Sequence, residues 1–142
     1  MSRGAPLTDD SGVAPPDGGA GGDPPAWDLV ASGAREDLRG LWGSGSGDVW
    51  AVGDGGAITR HGLPDTWTTV PSGTSAALYS IWGSAADDIW TVGTAGTVLH
   101  WNGSDWASVS SGTDRDLYAV WGSGAHDVWI VGAGGTMLHR GP

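Results

Sequence analysis

An all-β chain built from three four-stranded antiparallel units is what this sequence predicts, and three observations predict it. Trp42-Gly43-Ser44 returns as Trp82-Gly83-Ser84 and again as Trp121-Gly122-Ser123, with a period of 40 and then 39 residues. Fixed spacing of this kind marks a repeat architecture. Each period holds four runs of about five β-branched and aromatic residues, separated by Gly-rich breaks. Helical periodicity appears nowhere.

Within the second copy the predicted strands are Leu78–Trp82, Asp88–Gly93, Thr97–Trp101 and Trp106–Ser110. Gly93 and Gly96 bracket the turn between the second and third, where a positive φ is readily taken by glycine. Asn102-Gly103-Ser104-Asp105 has the turn chemistry that joins the third to the fourth. Asp48, Asp88 and Asp127 each stand just before a second strand. An Asx-type turn, the carboxylate accepting backbone N–H groups, is the expectation there. The alternative is a ring of carboxylates for a metal or a sugar.

A second series runs out of phase with the first. Trp27, Trp67 and Trp106 each open a Trp-x-x-Val run ending in Ser-Gly, and each lies 15 residues before a Trp-Gly-Ser. The repeat therefore begins at Trp27 with a fourth strand and ends at Pro142 with a third. Residues 1–26 are Gly-, Pro- and Asp-rich and almost without large apolar groups, the composition of a disordered linker. Residues 27–142 form the repeat unit.

Ten tryptophans stand in the 142 residues. Trp42, Trp50, Trp82, Trp90, Trp121 and Trp129 repeat at two fixed places, as expected of rings packed between neighbouring sheets. Trp101 does not repeat, since His61 and Arg140 take its place in the other copies. It is therefore the expected exposed contact.

Composition removes several function classes. There is no Cys, hence no disulfide framework and no thiolate metal site. Net charge is −10 and the six basic residues are scattered arginines. No basic stripe exists for nucleic acid or an anionic membrane. No apolar run approaches the roughly 20 residues of a membrane span. No cofactor is expected. An extracellular or cell-surface setting requires a signal upstream of Met1; the other expectation is the cytoplasm.

Three copies of four strands fit two architectures, a β-trefoil and a β-propeller with four-stranded blades. The phase favours the propeller, because a chain that starts with a fourth strand and ends with a third is one that latches a ring. The residues also carry a resemblance. The Trp-Gly-Ser, Asp-Val-Trp, Val-Gly and Gly-Thr-x-Leu-His elements over residues 27–141 resemble the blade repeat of bacterial sialidase-like propellers, including BNR-repeat and photosystem II assembly factor-like proteins. Asn102–Trp106 sits where that group carries its Asp-box, here degenerate. Rings have four to eight blades, so three are too few. Two chains around a two-fold axis would give six, a homo-oligomer in which Trp27–Ser32 of one chain completes the last blade of the other.

By that resemblance an active sialidase-like site has three arginines clamping a carboxylate, a Tyr nucleophile and acidic partners. Here Glu36 is the one Glu, and Tyr79 and Tyr118 share a repeat position with Arg39. Asp87-Asp88 and Asp114/Asp116 are carboxylate pairs in loops, where they face water rather than flank a glycosidic bond. His100 and His139 share a position with Arg60. The expectation is no enzyme but a binding or scaffold module, its ligand a glycan or a peptide. The alternatives are a remnant glycoside hydrolase propeller and a purely structural self-assembling fragment. The loops at 33–37, 73–77 and 112–116, with those at 53–56, 93–96 and 132–135, are expected to share one face. Arg35, Arg39, Tyr79, Arg115 and Tyr118, with Trp101, are the candidate contacts.

Overall fold

The Gly-bounded runs become eleven strands in a computed structural model that describes residues 26–142. The expected linker, apart from Ala26, lies outside the described residues. The first sheet is β1 (Leu38–Gly45), β2 (Asp48–Gly53), β3 (Ile58–Gly62) and β4 (Thr66–Thr69), in that spatial order. The second is β5 (Leu78–Ala85), β6 (Asp88–Gly93), β7 (Val98–Trp101) and β8 (Trp106–Ser108). The third is β9 (Leu117–Gly124), β10 (Asp127–Gly132) and β11 (Met137–Arg140), and it has three strands. Every neighbouring pair is antiparallel. Among the described residues helix is confined to three single 3-10 turns, Asp54–Gly56, Thr94–Gly96 and Ala133–Gly135.

The first strand of each copy runs three residues past the predicted end, because the Gly-Ser segment stays on the ladder. Gly83 pairs with Ile89 and Ala85 with Asp88, with Ser84 bulged out between them. The predicted strand Trp27–Ser32 is not formed. Trp27 is 98 % exposed and no strand lies between residues 26 and 37. The compact unit runs from Ala31 to Pro142.

Alternation along the strands gives each sheet two apolar faces, and the faces stack. Trp50, Val52 and Ile58 of the first sheet pack on Leu78, Ile81, Ile89, Leu99 and Trp101 of the second. On the other side of the second sheet, Trp90, Val92 and Val98 pack on Leu117, Val120, Val128 and Ile130 of the third. The edge strands β1, β5 and β9 are neighbours in space. The Ser80 hydroxyl on β5 accepts the Val120 N–H of β9 at 3.1 Å, joining two of these edges. That protects edges which would otherwise invite mispairing.

The Trp-Gly pair sets the distance between sheets. A Cβ on Gly83 would lie 2.8 Å from Cη2 of Trp42, and one on Gly122 would lie 2.5 Å from Cη2 of Trp82. The Cζ2–Cη2 edge of each indole thus abuts the next sheet's glycine, where a side chain would leave no room. Trp42 and Trp82 are half-buried in this way, and Trp50 and Trp90 are fully in the core. Trp121 and Trp129 have no fourth sheet to meet and are exposed.

Trp101 corrects the expectation of a surface contact: it is 6 % exposed. It ends β7 on the face turned to the first sheet, 4.9 Å from the Trp50 ring and 5.6 Å from Trp106. Its position differs between copies because its neighbours do. In the first sheet His61 lies on Trp67 at 5.3 Å, and in the third the Arg140 guanidinium lies 5.6 Å over Trp90.

Candidate functional site

Two β-bulges per copy aim the polar side chains. At one end of the first strand, Leu38 pairs with Gly53 and Gly40 with Val52, which leaves Arg39 as the extra residue. Tyr79 and Tyr118 are the extra residues at the same place in the other two sheets. A bulge re-aims its side chain off the sheet face. Here all three turn to the common edge and form a column. The Arg39 guanidinium lies 5.7 Å over the Tyr79 ring, and the Tyr79 and Tyr118 rings are 5.4 Å apart. Tyr118 is half-exposed.

Asp54, in the turn after β2, holds Arg39 by two bonds of 2.5 and 3.0 Å. The bond from Arg39 keeps the Asp54 carboxyl below its ordinary value. The pair is exposed, so its net contribution to stability is small.

The two loop sets predicted to share a face do come together. Gly33–Glu36, Gly55–Ile58 and Thr69–Ser75 line a groove of about 640 Å³. Its repeat-related counterpart, of about 850 Å³, is lined by Ser72–Thr74, Ala95–Leu99, Trp106 and Ser108–Asp114. In each groove the incoming segment crosses a glycine at close range: Thr74 passes over Gly56 and Thr113 over Gly96. Both glycines have φ near +75° (77° and 73°), which a side chain would resist. Asp116 ties one sheet to the next by accepting the Ala95 N–H at 2.9 Å.

Arg35 and Arg115 are not part of the Arg39 column. The Arg35 N–H donates to its neighbour Glu36 at 3.3 Å, and the Arg115 guanidinium lies against Gly134. Among the described residues neither Arg35 nor Arg115 forms an ion pair with a carboxylate.

The second bulge carries Ser44, Ser84 or Ser123, and its hydroxyl reaches the repeated aspartate. Ser44 donates to Asp48 Oδ2 at 2.7 Å, Ser84 to Asp88, and Ser123 to Asp127 at 2.6 Å. The other carboxylate oxygen accepts from β3, β7 or β11: Arg60 at 2.9 Å, His100 at 2.7 Å and His139 at 2.8 Å. Those cationic or imidazole groups stack on the cross-strand Trp50, Trp90 and Trp129 at 4.6, 4.3 and 3.9 Å.

This corrects the expectation of an Asx turn. Among the described residues the three carboxylates accept from side chains, not from backbone N–H groups. Spacing carried the signal: Ser and Asp stand four apart, and Arg or His twelve further on, in every copy. The Asx turn occurs instead at Asn102, whose side chain accepts Ser104 and Asp105 N–H at 2.9 and 3.0 Å.

Chemically the clamp is closed. An activated nucleophile needs its base against the hydroxyl. Here aspartate sits between serine and histidine and takes a hydrogen bond from each. Burial works to raise the Asp88 carboxyl, but donation from Ser84 and His100, with the charges of His100 and Arg140, outweighs it and holds the group low. Donation from Ser123 and His139 likewise lowers Asp127. The Cβ of Asp87 lies against Gly103.

Among the described residues no group of three or more His, Asp or Glu is placed to hold a metal ion. Among the described residues no helix is long and apolar enough to cross a membrane. No family model matches the chain, and no curated protein matches it significantly.

Proposed function

We propose that the chain is a non-enzymatic binding or scaffold module of β-propeller type, as the sialidase-like blade resemblance implies, and that its ligand is a glycan or an extended peptide. Support for the propeller reading comes from the four-stranded meander, the adjacency of β1, β5 and β9, and face-to-face stacking set by Trp on Gly. The observation that carries the binding reading is the Arg39–Tyr79–Tyr118 column. Bulges aim these side chains at one edge, next to the two loop-lined grooves, and none of the three closes a core. Tyrosine rings offer a flat apolar face with a polar tip, suited to a sugar ring or a peptide side chain. Arg39 is already paired to Asp54, so it serves as a ring-stacking cation rather than a free clamp for a carboxylate.

A glycan array and a pulldown with the full chain test the reading. Retention of a glycan or a peptide that is lost in Tyr79→Ala and Tyr118→Ala, while the β-sheet circular dichroism is unchanged, supports it. Hydrolysis of a glycoside by the unaltered protein, or binding indifferent to both tyrosines, overturns it.

A further inference from the structure

We propose that a second copy of this chain docks on the bare face of the third sheet, presenting the bare face of its own first sheet, and that two such contacts close a two-chain ring. The contact rests on packing alone. The closure rests also on the propeller reading above.

The chain has built this contact twice already, between its first and second sheets and between its second and third, and it carries one unused half of it at each end. On the leading face, Trp82, Trp90, Val92 and Val98 of the second sheet are covered by the third. Their repeat equivalents Trp121, Trp129, Val131 and Met137 are all exposed, Trp121 at 59 % and Met137 at 63 %. On the receiving face, Leu78, Ile81 and Gly83 are buried under the first sheet. Their equivalents Leu38, Leu41 and Gly43 are exposed, Leu41 at 69 %. Trp42 lies on Gly83 and Trp82 on Gly122, but nothing lies on Gly43 except its own hairpin. Trp121 of a second copy fits that seat.

Three vacancies in the third sheet match one segment of the partner. The outer edge of β11 has no fourth strand. Beside it is a cavity of about 290 Å³, walled by Trp90, Val98, Val128, Leu138 and Arg140. The equivalent place in the preceding interface holds Trp106, packed 5.5 Å from Trp50 and 5.6 Å from Trp101. Trp27, 98 % exposed, has no such seat. Gly135, unlike Gly56 and Gly96, has no segment crossing it. Residues 27–34 of a second copy fill all three. The β7–β8 register places the partner's Leu29 opposite Leu138, its Asp28 opposite His139 and its Trp27 opposite Arg140.

Thr59 donates to the Ser32 carbonyl at 2.7 Å, which holds Ser32 on the first sheet.

Area and closure point to two copies. Each bare face measures roughly 300 Å² from strand spacing and rise. Two contacts then remove about 1,200 Å², the lower bound of a stable interface, before strand completion is added. A head-to-tail contact closes only at a whole number of chains. Two copies of the three described sheets make six, within the usual four to eight blades.

Sedimentation of the full chain at micromolar concentration tests this. The expected mass is twice the 14.3 kDa of one chain. Trp121→Glu and Leu41→Glu alter opposite faces, and each is expected at the one-chain mass. An equimolar mixture of the two is expected to recover a two-chain species, because one intact face remains on each. A one-chain mass for the unaltered protein overturns the proposal. So does either variant staying at two chains, or a mixture that stays at one while both variants keep their β-sheet circular dichroism. Should either variant lose that spectrum, Met137→Glu or Leu38→Glu replaces it and is read the same way. An open series of longer species overturns the ring, and the propeller reading with it, but leaves the contact standing.

Discussion

The second and third sheets carry the same Trp, His and Asp at the same register, yet the Trp is buried in one and exposed in the other. Trp90 and Trp129 pair with His100 and His139, and each histidine reaches its own aspartate. Trp90 is buried while Trp129 is exposed, and the difference is the neighbour each sheet has. The clamp is thus local and forms in every copy, whereas burial is tertiary and is completed only where another sheet arrives. A repeat protein of this kind divides its stability into terms within a sheet and terms between sheets.

The strongest way to sharpen that comparison is to truncate matched positions. Trp101→Ala and Trp90→Ala are each expected to cost about 3–5 kcal/mol in denaturant unfolding, as aromatic truncations in packed sites do. Tyr118→Ala, on the exposed column, is expected near the surface range of about 0.5 kcal/mol. A small loss at Trp101 would break the assignment of that ring to the core.

Next in size is the glycine seat. Gly122→Ala puts a Cβ where the Trp82 ring lies and is expected to cost about 1–3 kcal/mol, the range of overpacked cores. Gly124→Ala, with nothing near its Cβ, is expected to change the denaturation midpoint little. Equal midpoints would mean that the sheets slide to accommodate the methyl group.

Removing chain from the N-terminus separates composition from packing. Deleting residues 1–26 is expected to leave the sedimentation profile unchanged. Deleting residues 1–33 removes Trp27, Leu29 and Val30 along with Ser32, and is expected to shift the stoichiometry or cause aggregation through the β11 edge. Identical profiles for the two deletions would show that Trp27–Gly33 takes no part in association.

The smallest effect is that of acid. Asp54, Asp88 and Asp127 all titrate below the ordinary carboxylate value of about 3.9. A carboxyl lowered in the folded state contributes stability that is fully present above its unfolded value and is lost as pH falls through the folded one. Unfolding midpoints should therefore hold down to about pH 4 and fall below it. Asp88→Asn should blunt the fall more than Asp54→Asn, because Asp54 is the more open to solvent. A decline that begins well above pH 5 would point to groups other than these carboxylates.

Much of the fold was legible. Runs of β-branched and aromatic residues bounded by Gly and Asn placed eleven strands to within a few residues, because strand and turn chemistry act locally, while the twelfth expected run, Trp27–Ser32, forms no strand. The column was legible in part: Arg39, Tyr79 and Tyr118 share a repeat position, but that a bulge turns them to one edge depends on the pairing register. The clamp was misread as a backbone turn because its third member stands twelve residues from the aspartate. Only the antiparallel hairpins bring that residue alongside. Trp101 was misread because a position that varies between copies looked like one free of packing.

What the sequence determined by itself was the unit: roughly where its strands lie, where it turns, and that the copies are alike. These follow from hydrogen bonding and side-chain alternation within about 40 residues of chain. What only the tertiary structure decided was which of the equivalent faces are covered. Trp42 and Trp82 find a glycine on the next sheet and Trp121 does not, although the three motifs read the same. Burial depends on what lies across a gap of about 10 Å between sheets, and no local pattern of residues encodes its own neighbour.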